Sequence, residues 1–411
     1  MNQSSLPRIA IPSVAVAGPG NLTDRSELDR LLLSLIRRHG ALAKSELARL
    51  ADLSPQTVSV TTRALEKQGL LRRLEPLRGR IGQPMVPLAL APEGAFVAGV
   101  KIGRRSVDYL LADFCGGVRA QSSLEYDAPD PAIVLTWLRR QLGRTRADLG
   151  LHAAKLIGLG IAMPFQLWDW QAEEPAEQAH HRAWQAIDLR AALADEGLSI
   201  SLVNDATAAC AAEMMFGTAS LPVDFVYFYI GTFIGGGVVQ NGRLRIGPTG
   251  HGGALGSMLV QCPDAGTVQL IRVASLAALK QSLQAAGIAP PCVEDDPEGW
   301  ASLCDHVQPW IDRAAFGIAQ AAISAIAVTD SKAVVIDGAI PDALRQSLVA
   351  KTLAHMQALD MSGIVAPEVK QGTLGVIARS LGAAGTSLIT QFGLRADADF
   401  DRGNRQGPVD R

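Results

Sequence analysis

The chain has 411 residues, of which 48% are hydrophobic and 19% are charged, and its net charge at pH 7 is −2. This composition is typical of a soluble protein with room for two or three domains, and the overall charge excludes a polyanion-binding role for the molecule as a whole. Five scattered cysteines without a CxxC pair, and no apolar run of about 18 residues, exclude a disulfide framework and a membrane span and favour a cytoplasmic location.

The N-terminal part of the chain predicts a short helical domain. Residues 1–22 lack the basic segment and apolar core of a signal peptide, so we expect a flexible leader there. Apolar residues at helical spacing between Leu28 and Leu35 predict a first helix, and a second is predicted over Lys44–Ala51. Ser54 is suited to cap a third helix that begins at Pro55, where the missing N–H of proline costs nothing.

Two short helices joined by a tight turn, the second rich in small polar residues, are typical of a helix-turn-helix. Residues 25–80 carry twelve Arg and Lys against six Asp and Glu, a net charge of +6, so a polyanion partner is expected for this end only. We therefore predict double-stranded operator DNA as the partner of the third helix, with glutamine suited to adenine and arginine to guanine. Its outward face contains Gln56, Thr57, Ser59, Val60 and Arg63.

After Gly69 the pattern becomes that of strands. Leu70–Leu74 and Met85–Leu90 bracket a loop rich in glycine and arginine, which predicts a β-hairpin wing whose Arg80 lies next to glycines and can enter a minor groove. Four independent features, the spacing of the helices, the Ser54 cap, the predicted wing and the positive charge, indicate the same domain. A winged helix-turn-helix over residues 23–91 is therefore favoured over a packing module with a solvated charged face.

The rest of the chain mixes strands and helices. Two stretches, Phe96–Phe114 and Phe225–Val239, each show an apolar strand, a glycine turn and a second strand, and the second turn is predicted to span Gly231–Gly237. Two such hairpins, each starting a lobe, are typical of the α/β, two-lobed, actin-like (ribonuclease-H-like) ATPase fold. We predict a first lobe at 92–205 with about 376–395, a second lobe at 206–375 and a flexible polar tail at 396–411.

Over residues 25–393 the chain resembles the ROK family (repressors, open reading frames, kinases), in particular its regulators. The resemblance rests on the segments Ile157–Pro164, Val203–Ala209, Gly231–Gly237 with Gly247–Met258, and Val334–Ile340 with Leu381–Ala384. It implies that Asn204 and Asp205 contact sugar hydroxyls, with Asp205 at the catalytic-base position of the kinases. A capped strand-to-helix turn is the alternative role for this pair. The other expected ligand contacts are Pro164, Gly231, Thr232, His251 and Trp168.

Departures from the family pattern bear on activity. Where the kinases have Asp-x-Gly-Gly-Thr, this chain has Lys101-Ile102-Gly103-Arg104-Arg105, which removes the carboxylate that serves Mg²⁺. The Gly-Glu-x-Gly-His segment is Gly253-Ala254-Leu255-Gly256-Ser257, and Cys262 has no nearby cysteine. We therefore expect no kinase activity, no cofactor and no metal site.

The expected function is a transcriptional regulator, a repressor of carbohydrate metabolism, that is a homodimer or tetramer and senses a sugar or polyol in a degenerate kinase-like cleft. Two alternatives remain: an active ATP-dependent sugar kinase, and a ligand-independent DNA-binding dimer. The stretch Phe165–Trp184, which holds three of the six tryptophans, is either a wall of the sugar pocket or a packed surface excursion or dimer contact.

Overall fold

The computed structural model describes residues 26–76, 85–164, 175–289, 300 and 303–393. The predicted leader, the wing residue Arg80, the ligand candidate Trp168 and the predicted tail lie outside the described residues.

The N-terminal helices form as predicted. Ser54 caps the third helix, since its hydroxyl accepts a hydrogen bond from the Thr57 amide at 3.1 Å. The inner faces of the three helices are apolar and bury residues such as Leu32, Leu47 and Val58 completely. The helices are α1 (Glu27–His39), α2 (Lys44–Ala51) and α3 (Pro55–Lys67).

The wing strands β1 (Leu71–Arg73) and β2 (Leu88–Leu90) pair antiparallel. The backbones of Leu42 and Leu88 exchange two hydrogen bonds, of 3.0 and 2.8 Å, so the segment before α2 adds a third edge to the hairpin. Arg73 on β1 donates two 3.1 Å hydrogen bonds to the Glu66 carboxylate on α3. The wing is therefore fixed to the recognition helix by backbone and side-chain bonds together.

The first lobe is built on a five-stranded mixed sheet with the order β5-β4-β3-β6-β7. The hairpin β3–β4 is antiparallel, whereas β6 and β7 run parallel to β3. Its strands are β3 (Phe96–Ile102), β4 (Ser106–Asp113), β5 (Val118–Glu125), β6 (Leu156–Met163) and β7 (Ser199–Asn204). Its helices are α4 (Pro131–Leu149), α5 (Pro175–Ala183) and α6 (Leu189–Ala192).

A second five-stranded sheet has the order β10-β9-β8-β13-β14 and repeats the same plan. Its strands are β8 (Phe225–Ile230), β9 (Ile234–Gln240), β10 (Arg243–Leu244), β13 (Ala333–Gly338) and β14 (Glu368–Gln371). A separate hairpin is formed by β11 (Leu259–Cys262) and β12 (Gly266–Gln269). The accompanying helices are α8 (Leu276–Ala285), α9 (Cys304–Thr329) and α10 (Asp342–Ala358).

Helices α7 (Asp205–Phe216) and α11 (Ala378–Phe392) pack against each other. α11 also packs on the first sheet and α7 on β9 of the second sheet. The approach is so close that a Cβ on Gly382 would overlap the carbonyl oxygen of Ala208. Small residues at this crossing therefore decide how near the two helices come.

Replacing Gly382 by alanine is expected to destabilise the protein by about 1–3 kcal/mol, because the added methyl has no space. Gly143→Ala is the matched control: Gly143 lies inside α4 with no atom within 4 Å of its virtual Cβ, and alanine there is expected to stabilise by up to ~1 kcal/mol. Thermal denaturation measures both. Equal melting temperatures for the two variants would contradict this account.

The second glycine turn is shorter than predicted. Only residues 231–233 turn, and the glycines 235–237 lie within β9. A Cβ on Gly235 would come within 2.5 Å of the Ala206 Cβ, and one on Gly237 within 2.5 Å of the Cys210 Cβ. Gly235 and Gly237 therefore allow the close packing of the strand on α7, whereas Gly236 faces Leu255 on the opposite side of the strand.

In the described part of the chain, one helical segment, Asp305–Thr329, is long and apolar enough to cross a membrane by length and composition. Its side chains are largely internal: Trp310, Ile311 and Ile318 are fully or almost fully buried in the core of the second lobe. This is the packing of a core helix.

Candidate functional site

A cleft of about 1210 Å³ lies between the two lobes. The expected ligand residues Pro164, Asn204, Asp205, Thr232 and His251 line it, although they come from distant parts of the chain. Among the described residues, Gly231, which was also expected to contact the ligand, does not line the cleft. Its carbonyl oxygen accepts a 3.0 Å hydrogen bond from the backbone amide of Leu276.

The pair Asn204–Asp205 stands where β7 ends and α7 begins. The amide oxygen of Asn204 accepts hydrogen bonds from the backbone of Ala206 at 3.0 Å and Thr207 at 3.3 Å, so it caps the helix. The alternative role foreseen for this pair therefore accounts for the Asn204 oxygen. Asp205 differs: Oδ1 accepts from the Ala206 amide at 3.0 Å, while Oδ2 lies 3.9 Å from Arg379 Nη1. Its carboxylate is the acidic group of this turn that faces the cleft.

The first hairpin presents a buried cation to the cleft. Lys101 Nζ donates hydrogen bonds of 2.9 Å to Asp108 Oδ2 and to Ser106 Oγ, and only 8% of the Lys101 side chain is exposed. Burial alone would raise the pKa of Asp108, but the charge of Lys101 and hydrogen bonds from Ser123 and Lys101 hold it below its ordinary value. The ammonium and carboxylate thus form a closed pair at the base of the hairpin.

The turn that follows adds two arginines to the wall of the cleft, Arg104 and Arg105. Tyr126 fixes this turn, since its hydroxyl lies 2.8 Å from the carbonyl oxygens of both Gly103 and Ser106. Three cationic residues, Lys101, Arg104 and Arg105, thus line the cleft at the hairpin that resembles the Mg²⁺-binding hairpin of the kinases, and Mg²⁺ requires hard oxygen ligands. The residues present do not fit a metal–nucleotide complex.

The residues at the family's Gly-Glu-x-Gly-His segment and at Cys262 also do not assemble a metal site. Ala254 and Ser257 line the cleft, and the buried thiol of Cys262 belongs to the core cluster around α9. Across the described ranges, no group of three or more His, Cys, Asp and Glu residues is placed to hold a metal ion. His251 Nδ1 lies 2.9 Å from the Thr249 carbonyl oxygen within its own loop.

Of the aromatic residues in the stretch Phe165–Trp184, the structure describes Trp184. Trp184 is 3% exposed and its indole N–H donates a 2.6 Å hydrogen bond to the Pro129 carbonyl, so it belongs to the core of the first lobe and not to the wall of the cleft. A buried indole needs an acceptor, and the loop before α4 supplies it. Phe165, Trp168 and Trp170 lie outside the described residues.

The predicted DNA-contacting face of α3 points outward. Gln56 and Arg63 are exposed and Val60 is 62% exposed. Thr57 is partly committed to the helix cap, because its hydroxyl lies 2.8 Å from Ser54 Oγ. Ser59 is partly exposed. The outward face therefore presents a glutamine and an arginine two turns apart, so that the two side chains can reach different base pairs in one major groove.

Arg379, near the start of α11, was missed by the sequence reasoning. It lines the cleft, and its guanidinium lies 5.2 Å from the Tyr229 ring centroid. It stands next to Asp205 although the two residues are far apart in the chain, and no local motif marks it.

Glu213 was also missed. It is 2% exposed near the end of α7, and its carboxylate accepts 3.0 Å hydrogen bonds from the Thr373 amide and hydroxyl of the second lobe. Burial, opposed by these hydrogen bonds and reinforced by the charge of Asp337, raises the pKa of Glu213 to about 7.

The raised pKa of Glu213 predicts a pH-dependent stability. The protonated Glu213 contributes to the free energy of unfolding. This contribution is fully present below the ordinary pKa of 4.5 and is lost as the pH rises through about 7. Glu213→Gln is expected to remove this loss, which amounts to at most about 3 kcal/mol. Denaturation of both proteins between pH 5 and 8 tests it, with the exposed Glu368→Gln as control. Parallel pH profiles for wild type and Glu213→Gln would exclude the assignment.

Comparison with known proteins agrees with this architecture. The chain is 26% identical over 377 residues to the uncharacterized protein y4fQ of Sinorhizobium fredii, a match that covers 90% of this chain and 93% of that protein. It is 24% identical over 263 residues to the xylose repressor of Bacillus subtilis, covering 62% and 67% of the two chains.

A crystal structure described as a ROK family transcriptional regulator homologous to the E. coli MLC protein superposes with a TM-score of 0.62. The superposition covers 90% of this chain and 97% of that one at 19% identity, and it shows a shared fold. Residues 28–77 match the MarR family, in agreement with the winged helix described above. Residues 97–384 match the ROK family, and the chain therefore belongs to the ROK family.

Proposed function

We propose that this protein is a sugar-responsive DNA-binding repressor that acts in the cytoplasm as a homodimer or tetramer. The single observation that carries the proposal is the combination, in one chain, of an exposed recognition face on α3 with a ROK cleft whose first hairpin is closed by the Lys101–Asp108 pair. The similarity to a xylose repressor supports the same role.

Within this proposal the cleft senses and does not catalyse. Phosphoryl transfer depends on positioning and on neutralising charge with Mg²⁺, and Lys101 places an ammonium where a metal ligand is required. Asp205 lines the cleft, and a carboxylate there is able to accept hydrogen bonds from sugar hydroxyls. We propose Pro164, Thr232 and His251 as further contacts, and 92–205 with 376–395, and 206–375, as the two lobes that close on the sugar.

The absence of kinase activity is a direct expectation. A coupled ATP assay with Mg²⁺ and a broad sugar panel, at high protein concentration, should stay at background. Turnover that is abolished by Asp205→Asn would establish the kinase alternative in place of the sensor.

The DNA-binding role is tested by selecting duplexes from a random library with the full-length protein. A selected sequence should bind with a steep salt dependence, each neutralised phosphate adding about −0.9 to the log–log slope. A thermal-shift screen of sugars and polyols then identifies effectors, and each hit is tested for its effect on binding to the selected duplex. Recovery of no preferred sequence would defeat the proposal, whereas specific binding without any sugar effect would favour the ligand-independent dimer.

A further inference from the structure

Helix α7 runs from the cleft to the DNA-binding domain. Its first residue, Asp205, lines the cleft, and its last, Phe216, lies beneath α1. Twelve residues of α-helix span about 18 Å. Its partner α11 runs the same way, from Arg379 in the cleft to Gly393, which closes the helix beside the side chain of Arg30. Both helices thus connect the candidate site to the winged helix.

At the cleft end, the two helices meet through opposite charges. Arg379 Nη1 is 3.9 Å from Asp205 Oδ2, and the same guanidinium lies over the Tyr229 ring. An ion pair at this distance is weak compared with a bidentate contact near 2.8 Å. A hydroxyl that binds Asp205 would therefore compete with Arg379 for the carboxylate.

At the other end, α7 is joined to the DNA-binding domain by Arg37 of α1. Arg37 Nη2 donates a 2.6 Å hydrogen bond to the carbonyl oxygen of Met215, and its guanidinium lies 4.6 Å from the centroid of the Phe216 ring. Burial lowers the pKa of Arg37 to about 10, which leaves it charged at neutral pH. The carbonyl is one of the last of the helix, where a cation is favourable.

The Phe216 ring packs closely against the backbone of two other segments. A Cβ on Gly116 would overlap its ring, and one on Gly385 of α11 would come within 2.9 Å of it. Buried residues of α1, α7, α11 and both sheets belong to one continuous apolar core. A close-packed core of this kind transmits displacements because it resists compression.

We propose that Arg37 is the residue that transmits the state of the cleft to the winged helix, through α7 and its contact with Phe216. The inference rests on the proposed function, because the cleft is taken as the sugar site. A ligand that separates Asp205 from Arg379 changes how the start of α7 sits against α11, and the rigid helix carries this change to α1. The element that changes between two arrangements is the α7–α11 pair, because both the cleft and the contact with α1 influence how the two helices pack.

The test measures amide hydrogen exchange of the full-length protein without DNA or sugar. Arg379→Met perturbs the cleft end, and Arg37→Met removes the contact at the far end while keeping most of the side-chain volume. The reporters are the amides of α1, with those of α4 as reference. The double variant Arg37→Met/Arg379→Met completes the cycle. Arg38→Met, one residue further along α1 and exposed, is the matched control background.

Arg379→Met is expected to speed exchange in α1 by about fivefold, a typical lower value for coupling between sites, and to leave α4 unchanged. In the Arg37→Met background the same substitution should add nothing, while in the Arg38→Met background its full effect should persist. Three results would each overturn the proposal. Arg379→Met could leave exchange in α1 unchanged, it could speed exchange in α1 and α4 equally, or it could speed exchange in α1 by the same factor with and without Arg37. Because no DNA or sugar is present, these outcomes are independent of a failed duplex selection or sugar screen.

Discussion

Replacing Arg63 by alanine is expected to reduce discrimination between the selected duplex and a scrambled one by roughly 5- to 150-fold, because a bidentate base contact contributes about 1–3 kcal/mol. Gln56→Ala is expected to have an effect in the same range at a different base pair. Both side chains are exposed on α3, so the variants should remain folded. Binding competition with single-base variants of the duplex assigns each side chain to its position.

The control for this prediction is Lys67→Ala, an exposed cation in the last turn of the same helix. It is expected to weaken binding to selected and scrambled duplexes alike, since a phosphate contact carries no sequence information. If Arg63→Ala and Gln56→Ala also weakened both duplexes equally, α3 would contact the backbone alone and the recognition face would have to lie elsewhere.

Replacing Asp205 by alanine is expected to abolish the response to the sugar found in the screen. A hydrogen bond to a charged group contributes about 1.5–3 kcal/mol, so the loss of two hydroxyl contacts should lower sugar affinity by at least about 100-fold. The shift in affinity for the selected duplex, expected at roughly 5- to 150-fold for wild type, should disappear with it. Calorimetry measures the first effect and duplex binding at saturating sugar the second.

Asp264→Ala, an exposed acidic residue between β11 and β12, serves as the control and should keep the wild-type response. Affinity for the duplex without sugar should remain close to wild type in Asp264→Ala, because this residue lies neither on the winged helix nor in the cleft; the effect of Asp205→Ala is therefore measured as the difference between binding with and without sugar. A sugar response that survives Asp205→Ala would place the effector site outside this cleft.

Much of the structure of the winged helix domain is determined by local sequence. Ser54, Pro55 and the αL-forming Asp52 fix the turn and the start of α3, because caps and helix periodicity act over only a few residues. The two glycine-turned hairpins likewise follow from short apolar runs on either side of a glycine. The contact between Leu42 and Leu88 was missed, since it joins segments separated by two helices.

The arrangement of side chains in the cleft, in contrast, does not follow from local sequence. Its contents depend on which side chains the fold brings together: Lys101 pairs with Asp108 across the hairpin, and Arg379 of α11 approaches Asp205 at the start of α7. Sequence showed that a lysine replaces a carboxylate, but not that the lysine is buried and paired across the hairpin. It also placed the glycines of residues 235–237 in a turn, because only the tertiary structure shows that Gly235 and Gly237 face α7, and Gly236 faces Leu255, at distances that leave no space for a side chain.

The sequence by itself therefore determined the order of elements, the DNA-binding head and the family pattern, since periodicity, caps and glycine turns are encoded within a few residues of one another. The tertiary structure alone decided which charges neutralise each other in the cleft and that α7 and α11 connect it to Arg37 and Arg30. Apart from the Lys101–Asp108 pair within one hairpin, these contacts join residues far apart in the chain. Their energies depend on burial and distance, which exist only once the two sheets and the helices between them have packed.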